Sequence, residues 1–357
     1  MKERLATILL FICSCAFGQD PRTVTDSLLY GQNGVANEYP EVGLVIGIYQ
    51  DGKTSYYSFG SRTKDGKEPL DSTTIFEIGS ATKTFTGLLL ANAIESSEVG
   101  QHDFIDNYLP EGTEFPSTLK NKIKLTDLAS HQSGLPNLSN DKYFSKLLKR
   151  DPTNPFRFVD REYLYKVLEN TDSLVGYRQY QYNNYAFSLL GDILGNENDQ
   201  KYTELVENTI LTSLQMNATS FDIPSNPNVA GLYNEDGEPQ VDMIIDAANP
   251  AGGLKSNAVD LMKYLKAHLS SDKFSAAVKL TQQTYFEDSK RAVGLGWDIE
   301  DNYYQKDGDT FGNSILMRYS KSRKQAIVVL SNHQNGELVR DAVNFIYSRL
   351  KNQSIKR

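Results

Sequence analysis

Ser80 and Lys83 are the residues whose types and spacing most directly suggest covalent chemistry. They lie three residues apart at the predicted start of a buried helix, where residues i and i+3 share one face, so the lysine amine can lie beside the serine hydroxyl. The first turn of a helix also presents unpaired backbone N–H groups and the positive end of the helix dipole, and both favour an oxyanion at that serine. The pair therefore predicts a serine nucleophile activated by lysine.

The surroundings of this pair distinguish it from other pairs with the same spacing. Ser80 follows an apolar stretch that contains Ile75, Phe76 and Ile78, and it precedes an apolar segment over residues 85–91 that is typical of a buried helix. A buried lysine is costly unless it is paired or functional. The same spacing recurs in solvated polar sequence at Ser61/Lys64, Ser117/Lys120, Ser139/Lys142, Ser270/Lys273 and Ser348/Lys351.

Two later stretches offer groups that a Ser-Lys site needs. Tyr182 enters a predicted helix start, from which its phenol can point into a cleft, and Asn184 beside it supplies an amide donor and acceptor. In the stretch Lys306-Asp307-Gly308, the lysine adds a second positive charge, and the glycine lets a ligand approach the backbone of a strand. Each stretch is weak evidence alone, since the chain has 21 tyrosines and repeats Lys-Asp-Gly at residues 64–66.

The elements that position these residues can be read from the apolar pattern. Residues 41–49 and 54–59 predict two strands joined by a turn that contains Asp51 and Gly52, a strong hairpin signal. The Ser80 helix extends to about Glu95. Helical segments are predicted at Leu125–Ser130, Arg161–Glu169, Tyr182–Leu194 and Tyr202–Leu214, later strands at Val293–Ile299, Tyr303–Lys306, Ser314–Tyr319 and Gln325–Leu330, and a closing helix from about Glu337 to Lys351.

This order of elements predicts an α/β (α+β) fold. An antiparallel sheet is built from the N- and C-terminal segments, is flanked by helices and carries an inserted, mostly helical region. We expect one catalytic domain over residues 19–357, with a sheet region at about 40–98 and 246–350 and a helical insert at about 99–245. The catalytic cleft should lie between the sheet and the insert.

The composition and the N-terminal residues limit which partners and which cellular location are expected. The 357 residues carry a formal net charge of -8, without a basic stripe, so nucleic acid is not an expected partner. Residues 1–18 resemble a secretory signal, with a charged start, an apolar centre and small residues before Gln19. The protein is thus expected to be periplasmic or secreted, without a transmembrane span in the mature chain. Both cysteines lie in this segment, and Cys15 is a possible lipid anchor if the segment is a lipoprotein signal.

Taken in order, the motifs resemble the serine β-lactamase and penicillin-binding-protein family. Ser-x-x-Lys is followed by Tyr-x-Asn and then by Lys-x-Gly, and the likeness is greatest to the class C β-lactamases, the DD-peptidases and the related esterases. Further stretches that match the family are Leu128–Pro136, Ala251–Leu261, Gly294–Trp297 and Val328–Asn332.

The resemblance implies a role for each site residue. Ser80 would be acylated, Lys83 would act as a base with a lowered pKa, and Tyr182 would relay protons, with Lys306 as the second cation. Asn184 would hold the substrate's amide and orient Lys83. Gly308 lies in the substrate-binding strand, and the backbone N–H groups of Ser80 and Asp309 would form the oxyanion hole. No metal and no organic cofactor is called for.

The substrate stays open at this stage. A β-lactam or a D-Ala-D-Ala-type cell-wall peptide is expected by analogy, with ester hydrolysis or non-catalytic binding as alternatives. Where many family members have Lys-Thr-Gly, this chain has Asp307, whose charge should repel a substrate carboxylate if it faces the cleft and Lys306 does not neutralise it. A histidine-based hydrolase is disfavoured because no Gly-x-Ser-x-Gly sequence occurs, and a zinc site because the four histidines are scattered. One of these, His131, is expected to pack or hydrogen-bond.

Overall fold

The computed structural model of the protein describes residues 19–138, 144–222, 228–270 and 273–350. The predicted signal segment and Cys15 lie outside these ranges. Inside them, none of the helices combines the length and the apolar character that spanning a membrane requires.

Most of the described strands form one antiparallel sheet that draws on both ends of the chain. Its order is β2-β1-β10-β9-β8-β7-β6-β5, and β3 and β4 pair separately. The strands are Leu44–Gln50 (β1), Lys53–Phe59 (β2), Phe76–Glu77 (β3), Lys255–Ser256 (β4), Phe286–Glu287 (β5), Ala292–Val293 (β6), Asp298–Glu300 (β7), Tyr303–Asp309 (β8), Ser314–Ser320 (β9) and Gln325–Ser331 (β10). This arrangement confirms the predicted fold class, while the boundaries of the helical insert stay a prediction.

Helices cover both faces of the sheet and build the region inserted between β3 and β4. They are Pro21–Tyr30 (α1), Val35–Glu38 (α2), Thr82–Glu95 (α3), Leu125–Ala129 (α4), Phe144–Arg150 (α5), Arg161–Glu169 (α6), Asn184–Glu197 (α7), Tyr202–Val206 (α8), Thr212–Leu214 (α9), Asn249–Gly252 (α10), Ala258–Ser270 (α11), Ser275–Thr281 (α12) and Gly336–Arg349 (α13). Short 3-10 turns lie at Gly79–Ala81, Ile105–Asn107, Ser117–Leu119 and Pro155–Phe158, and a π-helical turn at Glu207–Leu211.

The sheet separates two apolar cores because successive strand residues point to opposite faces. On one face, Leu44, Ile46 and Ile48 of β1 pack with α1 and α13. On the other, Val45 joins the larger core that contains the apolar residues of α3, α7 and α11. Burying one such side chain stabilises the fold by roughly 1.5–3 kcal/mol, so α3 is held firmly against the sheet.

Several predicted elements are confirmed and two are corrected. The hairpin turn lies at Asp51 and Gly52, and α6 has the predicted bounds. The predicted strand 293–299 is wrong in its middle: Gly296 has a φ of +79°, and a Cβ there would lie 2.5 Å from the carbonyl oxygen of Lys83. The chain therefore leaves the sheet between β6 and β7 to pack under α3.

The second correction concerns Tyr182. It lies outside the helix predicted at 182–194, because Asn183 caps α7 by accepting a hydrogen bond from the N–H of Ala186 at 2.9 Å. The predicted helix at 202–214 is present, with the π-helical turn in its middle.

Candidate active site

Ser80 lies in the 3-10 turn that leads into α3, and strand β8 lies directly against this turn. The close approach depends on Gly308. A Cβ at this position would lie 2.1 Å from the carbonyl oxygen of Ile78 and 3.0 Å from the backbone nitrogen of Ser80. The absence of a side chain at Gly308 thus lets the backbone of β8 approach Ser80.

Lys83 is fully buried beside Ser80. Its Nζ lies 3.1 Å from the Oγ of Ser80, 2.7 Å from the Oδ1 of Asn184 and 2.6 Å from the carbonyl oxygen of Ala251. Burial lowers the pKa of Lys83 well below its usual range, and the nearby charge of Lys306 lowers it further. Both effects shift the protonation equilibrium of Lys83 toward the neutral amine.

Tyr182 is a second side chain in contact with Ser80. Its hydroxyl donates a hydrogen bond to the Oγ of Ser80, and its ring centroid lies 4.8 Å from the Nζ of Lys83 and 5.2 Å from the Nζ of Lys306. Although Tyr182 is 37% exposed as a whole, desolvation of its phenol among the site residues raises the pKa of Tyr182, and Lys306 only partly opposes this shift. The phenol is therefore protonated at neutral pH.

Lys306 supplies a permanent positive charge to the site. Its side chain is only 3% exposed, and its Nζ lies 3.6 Å from the Oδ2 of Asp298. Burial acts against the ammonium group, but the carboxylates of Asp298 and Asp307 outweigh burial and raise the pKa of Lys306. The ammonium group of Lys306, whose charge lowers the pKa of Lys83, is thus itself paired with the carboxylate of Asp298.

The two aspartates around Gly308 have different partners. Asp307 lines the cleft beside Ser80, and its Oδ2 accepts a hydrogen bond from Arg340 of α13 at 3.2 Å. Asp309 also lines the cleft and accepts a hydrogen bond from the hydroxyl of Ser314 at 2.5 Å. The ion-pair partner of Asp307 is therefore Arg340, whereas Lys306 is paired with Asp298.

The loop that follows α4 fixes the positions of Tyr182 and Asn184. The side chain of Asn137 donates to the carbonyl oxygen of Tyr182 and accepts from the N–H of Asn184 at 2.9 Å. The Nδ1 of His131 accepts from the N–H of Asn183 at 3.0 Å, and its ring packs on that of Tyr182 with centroids 4.5 Å apart. His131 thus has the packing and hydrogen-bonding contacts expected of it.

The structure brings all eight predicted site residues to one place: Ser80, Lys83, Tyr182, Asn184, Lys306, Asp307, Gly308 and Asp309. Sequence reasoning missed the carbonyl oxygen of Ala251, the Asp298 partner of Lys306, Asn137 and Arg340. Ala251 lies in a family-like stretch that could have indicated it, whereas no sequence signal marks Arg340. Among the described residues there is no cluster of side chains that could hold a metal ion.

Two cavities meet at Ser80. One lies on the Tyr182 side, measures about 530 Å³ and is lined mainly by charged groups such as Arg291, Asp298, Lys306 and Arg340. The other lies on the Asn184 side and is smaller, about 150 Å³. Ser80 therefore lines both cavities.

Comparison with known proteins identifies similar sequences and folds. A family model described as Beta-lactamase matches residues 33–347. The β-lactamase of Psychrobacter immobilis is 26% identical, covering 88% of this chain and 85% of its own, and that of Pseudomonas fluorescens is 26% identical, covering 84% and 80%. Among solved structures, a class C β-lactamase superposes with a TM-score of 0.80 at 21% identity, covering 93% of this chain and 96% of that chain. A β-lactamase/D-alanine carboxypeptidase from Pseudomonas syringae superposes with a TM-score of 0.77 at 22% identity, covering 92% and 98%.

Proposed function

The chain belongs to the β-lactamase family of serine hydrolases, and from this membership we propose that it cleaves acyl substrates through a covalent acyl-enzyme on Ser80. The observation that carries the proposal is the set of three contacts made by Lys83. Two partners of its Nζ, the Oδ1 of Asn184 and the carbonyl oxygen of Ala251, are acceptors only. The third contact joins Nζ to the Oγ of Ser80 at 3.1 Å. A neutral amine would have two N–H groups for the two acceptor oxygens and a lone pair to receive the proton of Ser80. These contacts, together with the lowered pKa of Lys83, support its role as the general base.

In the acylation step, the Oγ of Ser80 attacks the carbonyl carbon and its proton moves to Lys83. Tyr182 donates its phenolic proton to the leaving nitrogen or oxygen as the bond to the carbonyl carbon breaks. Lys306 stabilises the phenolate that forms, because its charge lies close to the Tyr182 ring. The leaving group therefore departs on the Tyr182 side.

Deacylation reverses the proton transfers with water in place of the leaving group. Water attacks the acyl carbon and gives a proton to the phenolate of Tyr182, and the ammonium of Lys83 returns a proton to the Oγ of Ser80. Both residues regain their starting states. The backbone N–H groups of Ser80 and Asp309 are the proposed oxyanion donors, each worth roughly 3–4 kcal/mol in a transition state of this kind.

The natural substrate that we propose by analogy is an amide of the β-lactam or D-Ala-D-Ala class. Export fits this choice, and we propose it from residues 1–18, with lipidation of Cys15 as the alternative fate. A second candidate, carboxylic ester hydrolysis, is favoured by Asp307, since its carboxylate lines the cleft and already engages Arg340. A substrate with its own carboxylate has to compete with Asp307 for that arginine.

Covalent labelling tests the proposal and separates it from a non-catalytic binding protein. We expect a fluorophosphonate or penicillin probe to add to Ser80, and Ser80→Ala to abolish the adduct and all turnover. Ser117→Ala is the matched control, because Ser117 has the same spacing to a lysine but is exposed and lies away from the cleft. Absence of any adduct at Ser80 would favour the binding protein. Parallel assays of nitrocefin, a D-Ala-D-Ala peptide and p-nitrophenyl esters then rank the substrate classes.

A further inference from the structure

The smaller cavity at Ser80 has an apolar lining that the catalytic chemistry does not require. Besides Ser80 and Asn184, its walls include five large apolar side chains: Leu138, Phe156, Met243, Ile245 and Phe311. They come from separate parts of the chain, namely the loop before α5, the turn Pro155–Phe158, the segment before α10 and the turn after β8. The cavity is thus a built apolar pocket beside the nucleophile.

The direction of the reaction decides which part of a substrate enters this pocket. In the proposed mechanism, the leaving group has to lie beside the hydroxyl of Tyr182. Tyr182 contacts Ser80 and lines the larger, charged cavity. The acyl substituent then points to the other side of Ser80, past Asn184. We refer to the smaller cavity as the acyl pocket.

We propose that the acyl pocket selects substrates with an uncharged, apolar acyl chain. Met243 limits the length of that chain, and Glu77 positions Met243. The proposal rests on the acyl-enzyme chemistry proposed above and adds the substrate class. About 150 Å³ is space for a short aliphatic or a single-ring acyl group, not for a long lipid chain.

The segment that carries Met243 has no helix or strand of its own, so side chains from elsewhere hold it. The Oε1 of Glu77 accepts a hydrogen bond from the backbone N–H of Met243 at 2.8 Å, and the Nδ2 of Asn154 donates to the carbonyl oxygen of Asp242 at 3.0 Å. Glu77 is only 5% exposed and lies in β3, three residues before Ser80. The wall of the pocket is therefore tied directly to the strand that leads into the nucleophile.

Exposure along this segment separates the lining residues from their neighbours. Met243 and Ile245 are partly buried and line the pocket, whereas Val241 and Ile244 are 56% and 49% exposed. Val241 consequently offers a matched control: it is an apolar residue on the same segment that does not line the pocket.

The test is a series of p-nitrophenyl esters from acetate to dodecanoate, with active enzyme counted by fluorophosphonate titration. We expect kcat/KM to rise about fourfold per methylene until the pocket is full and then to fall, since about 0.8 kcal/mol per buried CH₂ corresponds to that factor. Met243→Ala should move the optimum to longer chains, and Met243→Trp should move it to acetate. Val241→Ala should leave the profile unchanged.

The positioning role of Glu77 is tested by the dependence of kcat/KM on acyl-chain length. The shape of this dependence does not change if part of the enzyme is unfolded. Glu77→Ala should raise KM for the preferred chain more than it lowers kcat for acetate, and should reduce the gain per methylene to less than about twofold. Glu77→Gln keeps an oxygen acceptor for Met243 and should restore the profile. Equal losses for all esters in Glu77→Ala, or no rescue by Glu77→Gln, would overturn the positioning role.

The outcomes distinguish this proposal from the one on which it rests. A flat profile, or one that Met243→Ala and Met243→Trp leave unchanged, with Ser80 still labelled and esters still cleaved, overturns the acyl-pocket proposal alone. If Ser80 forms no adduct and no ester is cleaved, the acyl-enzyme proposal itself fails.

Discussion

Replacing Asp307 with threonine should improve the hydrolysis of substrates that carry a carboxylate. In the structure, Asp307 lines the cleft and its Oδ2 lies 3.2 Å from the Nη2 of Arg340. Asp307→Thr removes the negative charge and leaves Arg340 without this partner. A carboxylate on the leaving-group side would then meet a free guanidinium in place of an internal ion pair.

The size of this effect follows from the exposure of the pair. At 3.2 Å, two unit charges interact by about 1 kcal/mol in water and by about 5 kcal/mol at an effective dielectric constant near 20. The side chains of Arg340 and Asp307 are 51% and 38% exposed, so solvent screening keeps the effect near the lower value. Loss of repulsion and gain of a cation together are worth about 1–2 kcal/mol, which is a 5- to 30-fold change.

The assay is kcat/KM for nitrocefin divided by kcat/KM for p-nitrophenyl acetate, which lacks a carboxylate. We expect the ratio to rise about 5- to 30-fold in Asp307→Thr, and the rise to shrink at high salt. Arg340→Ala in the same background should remove the part that the freed arginine contributes. Asp341→Asn is the matched control, because Asp341 is the exposed neighbour of Arg340 on α13. An unchanged or lower ratio in a folded Asp307→Thr variant would refute the reasoning.

Three further predictions concern the catalytic centre. In Lys306→Met, loss of the neighbouring charge should raise the pKa of Lys83; because the base must be neutral, the acidic limb of the pH–kcat/KM profile should move to higher pH, and an unmoved limb would contradict this. Tyr182→Phe should lower kcat about 10²- to 10⁴-fold without loss of thermal stability, since only the proton relay is removed; activity close to the parent enzyme would exclude the relay. In Gly308→Ala, the new Cβ would lie 2.1 Å from the carbonyl oxygen of Ile78. Guanidinium denaturation should therefore show a free energy of unfolding lower by about 1–3 kcal/mol, and covalent labelling of Ser80 should slow. Wild-type values for both would show that the strand is free to shift.

Local sequence carries much of the fold. The hairpin at Asp51 and Gly52 and the bounds of α6 follow from turn chemistry and from apolar periodicity, which act over a few residues. The break at Gly296 did not follow, because the chain leaves the sheet there to reach the carbonyl of Lys83, a contact between distant parts of the sequence. The start of α7 was misplaced because the capping side chain of Asn183 decides it.

The sequence by itself predicted Ser80 as the nucleophile and Lys83 as its base, because the apolar surroundings of this pair and the order of the later motifs distinguish it from the other Ser-x-x-Lys pairs. Only the tertiary structure decided how deeply these groups are buried and which charged side chains lie beside them. Burial and the charge of Lys306 lower the pKa of Lys83, and Asp307 is paired with Arg340 from the closing helix. The large apolar side chains of the acyl pocket likewise come from four separate segments. Burial, ion pairs and cavities depend on which distant elements pack together, and spacing along the chain does not encode that packing.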